Sequence, residues 1–173
     1  MSALENTPTN PNFLSPLNFK FSIKRAPHIN FFIQKIGIPS LSLPTYESPN
    51  PFVKIPEPGE HLDYGDLQIT FRVDENIQNY LEIHNWLRAL GKPKDFKEYR
   101  TLSQNPAYTG DGIRSDISLL ILSSAKVPNY ELTFTEAYPT DLSELVFDTT
   151  KSDVEYIEAT ATFKYLLFEI INI

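Results

Sequence analysis

Ten of the 14 prolines fall within the first 58 residues, at positions 8, 11, 16, 27, 39, 44, 49, 51, 56 and 58. Each fixes φ and removes a backbone donor, so this third of the chain cannot form the interior of a continuous sheet. The pattern predicts an extended arm rich in Asn, Pro and Ser over residues 1–16, leading into a single domain over 17–173. At 173 residues the chain is long enough for one substantial core, and 13% aromatic residues against only 6 glycines suit a β-rich body.

Beyond the prolines, alternation dominates. Phe19, Phe21 and Ile23 alternate with polar neighbours, as do Leu67, Ile69, Phe71 and Val73, then Tyr130, Leu132 and Phe134. Ile29, Phe31 and Ile33 continue the theme after Pro27, while Ile117 to Leu122 reads as a strand buried on both faces. The longest alternating strand is the last, with Ile157, Ala159, Ala161, Phe163 and Tyr165 on one face and a polar set on the other. One helix interrupts: Ile77, Tyr80, Leu81, His84 and Leu87 recur at helical spacing, and Ile83, Trp86 and Leu90 widen the stripe. Asp74 or Asn76 can cap its start, and Gly91 ends it. Residues 92–114 read as a long loop tipped by Gly110-Asp111-Gly112. The fold expected is mainly β, an antiparallel β-sandwich or barrel with one packed α-helix.

Charge and chemistry exclude more than they suggest. The net charge of −7 argues against a grip on nucleic acid built from phosphate contacts. Residues 1–126 balance 13 acids with 13 bases, so the last 47 residues, with 9 acids against Lys151 and Lys164, carry all of it. That reads as a solvated face or as one that repels polyanions. Without cysteine there is no disulfide, thiolate nucleophile or Cys-bound zinc. His28, His61 and His84 are scattered, and His84, on the helix stripe, reads as a hydrogen-bonded core residue. Asp63 and Asp66 read as a turn in which Gly65 supplies positive φ, rather than as paired catalytic carboxylates. Ser123-Ser124 lacks the glycines of a nucleophile elbow. No catalytic, cofactor or metal residues are expected. The start, Met1-Ser2-Ala3-Leu4-Glu5-Asn6, has no leader pattern, and the apolar run 163–173 is too short to span a bilayer, so the expectation is a chain that begins in a cytoplasm without a membrane anchor.

The terminal block, from Tyr130-Glu131-Leu132-Thr133-Phe134 through Tyr138-Pro139-Thr140-Asp141-Leu142 and Glu144-Leu145 to the long last strand, resembles the tail-tube protein family of contractile-tailed bacteriophages of the T-even type. The likeness is best over 127–167, fair over 66–90 and weak before 60. It implies a tail-tube-like β-sandwich with a flanking helix, in a homo-oligomer of stacked hexameric rings. Strands of all subunits would close one barrel that passes the tape-measure protein and DNA without binding DNA specifically, in contact with tail sheath and baseplate or hub proteins. The chain would be a structural virion protein assembled in the host cytoplasm. On this reading Glu158, Thr160, Thr162 and Lys164 face the lumen, Phe52, Val53, Ile55, Tyr108 and Asp111 make subunit or ring contacts, and Tyr138, Pro139 and Thr140 form the family's turn motif. The last strand, 154–168, would find its pairing partner in sister copies. The arm and the Pro39–Pro58 stretch depart from a plain tube subunit, which leaves open a tube-like ring at the baseplate hub, initiator layer or terminator. An alternative of another class is a monomeric β-sandwich ligand-binding module, for instance for carbohydrate, with Trp86 or Tyr108 as a stacking platform.

Overall fold

Alternation becomes two antiparallel layers in the structure, a computed structural model that describes residues 12–91, 96–104, 113–150 and 155–173. The elements in chain order are β1 (Phe19–Ile23), α1 (Ile29–Phe32), β2 (Ile33–Ile36), β3 (Leu41–Ser42), β4 (Thr45–Ser48), β5 (Ile55–Pro58), β6 (Asp63–Tyr64), β7 (Leu67–Arg72), α2 (Gln78–Gly91), α3 (Lys97–Gln104), β8 (Ser115–Leu122), β9 (Pro128–Leu142), β10 (Glu158–Lys164) and β11 (Leu167–Asn172). One layer runs β1-β8-β9-β11 and the other β9-β10-β7-β2. The proline-rich third forms only two separate two-stranded pieces, β3 with β6 and β4 with β5, as missing donors and fixed φ require.

The 15-residue β9 serves both layers: its first part pairs with β8 and β11, and residues 138–142 pair with β10. The crossing is made at Glu136, whose φ of 53° lies in the left-handed region. Its N–H donates to Asp116 Oδ1 at 3.1 Å and its carboxylate pairs with Arg114, so the strained residue is held from both ends. Inward rows from the two layers then meet in one core. Phe21, Ile117, Leu119, Leu132 and Phe134 come from one side, and Leu67, Ile69, Phe71, Ala159, Ala161 and Phe163 from the other. Burying each phenylalanine contributes about 1.5–3 kcal/mol.

Several expectations need correcting. Ile29 to Phe32 is a single helical turn, not a strand: Ile29 and Asn30 donate to the carbonyls of Ala26 and Pro27, which closes the chain into a turn directly after the proline. β8 is buried on one face only, through Ser115, Ile117 and Leu119. The presumed loop 92–114 contains α3, and its Gly110-Asp111-Gly112 tip lies outside the described residues. The buried stripe of α2 is Asn79, Ile83, Trp86 and Ala89, which turns His84 out to solvent. Asp74 does serve the start of that helix, accepting the Asn79 N–H at 3.3 Å, while Asn79 Nδ2 donates to the Arg72 carbonyl at 2.7 Å. Gly65 is favoured by close approach rather than by positive φ, since a Cβ there would lie 3.1 Å from the Ser40 backbone nitrogen and would push the Ser40 hydroxyl aside. Among the described residues, no helix is long and apolar enough to cross a membrane.

Candidate assembly surfaces

The long terminal strand expected over 154–168 is two strands with different surroundings. β10 is interior, flanked by β7 and β9 of its own chain, so it does not wait for a sister copy. That overturns the expected pairing of this segment: both of its edges are already hydrogen-bonded, to β7 and to β9, and Ala159 and Ala161 are buried in the core beneath it. Residue 154 lies outside the described residues. After Tyr165 and Leu166 the chain enters β11, which pairs with β9 alone.

β11 is therefore the open side of the first layer. Ile173 N–H donates to the Asn129 carbonyl, and by the alternation of an antiparallel ladder the N–H groups of Phe168, Ile170 and Asn172 point to the unpaired side. Ile170 aligns with the buried row yet is 57% exposed, and Ile171 and Ile173 are exposed beside it. The opposite edge of this layer is β1. There Leu122 N–H donates to the Asn18 carbonyl, which leaves the Phe19 and Phe21 N–H groups pointing outward. At Ile23 that edge is closed by Asn30, which accepts the Ile23 N–H at 2.8 Å and donates to its carbonyl at 3.2 Å. Three successive antiparallel pairings separate β1 from β11, so the two open edges run in opposite directions.

Each layer also has a polar outer face. On the first, Ser22, Ser118, Thr133 and Glu169 form one cross-strand row, and Lys20, Leu120, Glu131 and Ile171 the next. On the second lie the four residues expected to face a lumen. Thr160 meets Thr70 and its N–H donates to Ser143 Oγ at 2.9 Å, Thr162 sits between Gln68 and Asp141, Glu158 is opposite Arg72, and Lys164 is ion-paired with Asp66. The Asp66 carboxylate, by hydrogen bond and by charge, raises the Lys164 pKa. The four residues share one face of β10.

The other expected contact residues are dispersed. Phe52 and Val53 tip the loop between β4 and β5, where Phe52 is 95% exposed, and Ile55 opens β5. Lys54 pairs with Glu47 across that hairpin, and Tyr46 donates to Glu57 at 2.6 Å. Tyr108 and Asp111 lie outside the described residues. Tyr138, Pro139 and Thr140 are not a turn. They run within β9 opposite a register shift, where β10 steps past Thr140, and that irregularity is what admits a proline. Trp86 is buried, with Nε1 donating to the Ile113 carbonyl at 2.9 Å, so it offers no stacking platform. Among the described residues, no group of three or more acidic or histidine side chains could hold a metal ion. The open edges escaped the sequence reading, because alternation reports the two faces of a strand whereas a lateral partner pairs through backbone groups in the plane of the sheet.

No protein-family model matches the chain. Over 166 residues, 92% of this chain and 89% of the relative, it is 26% identical to the tail tube terminator protein of Enterobacteria phage T4. Its fold is similar to that of the tube-terminating cap of the anti-feeding prophage, with a TM-score of 0.64 and 13% identity over the whole of both chains. A chain of the sheath and tube terminator of an extracellular contractile injection system is also similar, with a TM-score of 0.60 and 15% identity over 94% of this chain and 99% of that one. The fold is thus tail-tube-like, as the terminal block implied.

Proposed function

We propose that this chain is a non-enzymatic structural subunit of a ring that ends the tube of a contractile phage tail. The carrying observation is the first layer, whose two open edges, β1 and β11, run in opposite directions and are free of register shifts. Laying β11 of one copy beside β1 of the next continues an antiparallel sheet, and repetition closes it without leaving an edge. Lys20 on one edge and Glu169 on the other bring opposite charges to the seam. The full-length relative that ends a tail tube supports the terminal position. Six copies, passage of tape measure and DNA through the bore, and contacts with sheath proteins belong to this proposal. So does the 1–16 arm as a tether to an adjoining ring.

Closure through these edges turns the Ser22, Ser118, Thr133 and Glu169 row towards the bore. Small hydroxyl side chains with acidic neighbours would let DNA slide without gripping it. The row Glu158, Thr160, Thr162 and Lys164 is the second reading for the bore, favoured by its threonines and balanced charges. It requires closure through β2, a four-residue edge with a register shift, which makes a poorer seam. The hairpin tip, Phe52 and Val53, is the proposed ring-to-ring contact.

Negative-stain images of the purified full chain test this directly, with Ile170→Pro as the discriminating variant. Rings are expected from the wild type and separated, folded subunits from the variant, because proline removes a donor aimed at the open side and spares the ladder to β9. Monomers of the wild type at every concentration and salt, even with tail tubes present as nuclei, would overturn the proposal.

A further inference from the structure

Where the second layer ends at β2, a groove of about 870 Å³ opens between α1, the start of α2 and the segments on either side of residues 151–154. Its apolar wall includes Phe31, Ile77, Phe147 and Tyr156, and Phe31 is 87% and Phe147 72% exposed. Singly exposed apolar residues are ordinary, but a contiguous set lining one concavity marks an interaction surface. Ile77 is a β-branched residue at a φ of 59°, a costly conformation, held by hydrogen bonds from its N–H to the Asp74 carbonyl and from the Leu81 N–H to its own carbonyl. Acidic Asp74, Glu75 and Glu155 line the same groove. Arg72 is the one base among the described lining residues, and its guanidinium lies 4.6 Å from the centre of the Tyr156 ring, which covers it.

We infer that this groove docks an extended segment of a partner protein in which Leu or Phe anchors are flanked by Lys or Arg. Charge complementarity selects that occupant. The chain's own residues 1–16 contain Glu5 and neither Lys nor Arg. The hairpin tip of a second copy brings Phe52, but its Lys54 is already paired with Glu47 and Glu57 lies on the same hairpin. The open edge of β2 beside the groove offers backbone groups to an extended segment. Nothing in this depends on ring closure.

Fluorescence anisotropy on the full chain tests it with three labelled peptides: one alternating Lys with Leu and Phe, its twin with Glu in place of Lys, and residues 1–16 of this chain. The Lys peptide should bind, more weakly as salt rises, and about tenfold more weakly to Phe147→Ser, a change at an exposed side chain. The double variant Phe147→Ser/Phe31→Ser, checked by its melting curve, should lose more. Glu131→Gln, an acid on the other layer, should leave binding unchanged. Equal binding by the groove variants, no binding of the Lys peptide, or tighter binding of either other peptide would overturn the inference.

Discussion

β10 and β11 follow one another in the chain and both pair antiparallel with β9, yet one is enclosed with alternating exposure and the other is an edge, exposed along most of its length. β10 carries alanines inward and lies between two partners of its own chain. β11 carries bulky isoleucines, has one partner, and leaves Ile170, Ile171 and Ile173 exposed. Alternation tells which face of a strand meets the core. Whether its hydrogen bonds are completed within the chain depends on where the strand falls in the layer order.

The largest expected effect breaks the enclosed member. Ala161→Arg places an unpaired charge in a fully buried position, and should lower stability by on the order of 4 kcal/mol or prevent folding, as read by urea unfolding. The same comparison expects Ile170→Pro on the edge strand to cost well under about 2 kcal/mol while abolishing rings in sedimentation velocity. Phe52→Asp, at the hairpin tip, should change stability by less than about 0.5 kcal/mol and weaken only the stacking of one ring on another, seen as single rings in images.

A smaller effect reads the joint between the two strands. Tyr165 packs against Phe134 and Phe168 and donates to the Gly65 carbonyl at 2.8 Å, and burial pushes its hydroxyl up to about 12 from 10.0. A raised pKa means the folded state holds the proton more tightly. Its stabilisation is therefore complete below pH 10 and is lost as pH rises towards 12, a decline that Tyr165→Phe should flatten. The smallest concerns His28, whose pKa is raised by its hydrogen bond to Glu82 and by the charge of that carboxylate. Its tie between α1 and α2 should be present at pH below 6.5 and fade as pH climbs through the raised value, visible as an NMR titration of the His28 ring that Glu82→Gln shifts downward.

Much of the body was legible because its signals are local. β7 and β10 follow from period two, and α2 from apolar recurrence, although its face was rotated because Ile77 and Leu81 are apolar without being buried. The crossing at Glu136 was not legible, since glutamate carries no preference for positive φ and the conformation is imposed by Arg114 and Asp116. Nor were the open edges, because pairing is a property of the neighbouring strand rather than of the sequence that carries it. The acidic-aromatic groove joins Phe31 to Phe147, residues more than a hundred positions apart, and only the folded layers bring them together.

The sharing of β9 between the layers has a mechanical consequence. A sideways pull on the terminal strand passes by hydrogen bonds to the first part of β9, then along covalent backbone through residue 136 to the second sheet. The two sheets cannot slip past one another unless that peptide is straightened or torn, so a force arriving at the rim is spread through the whole subunit rather than peeling it apart.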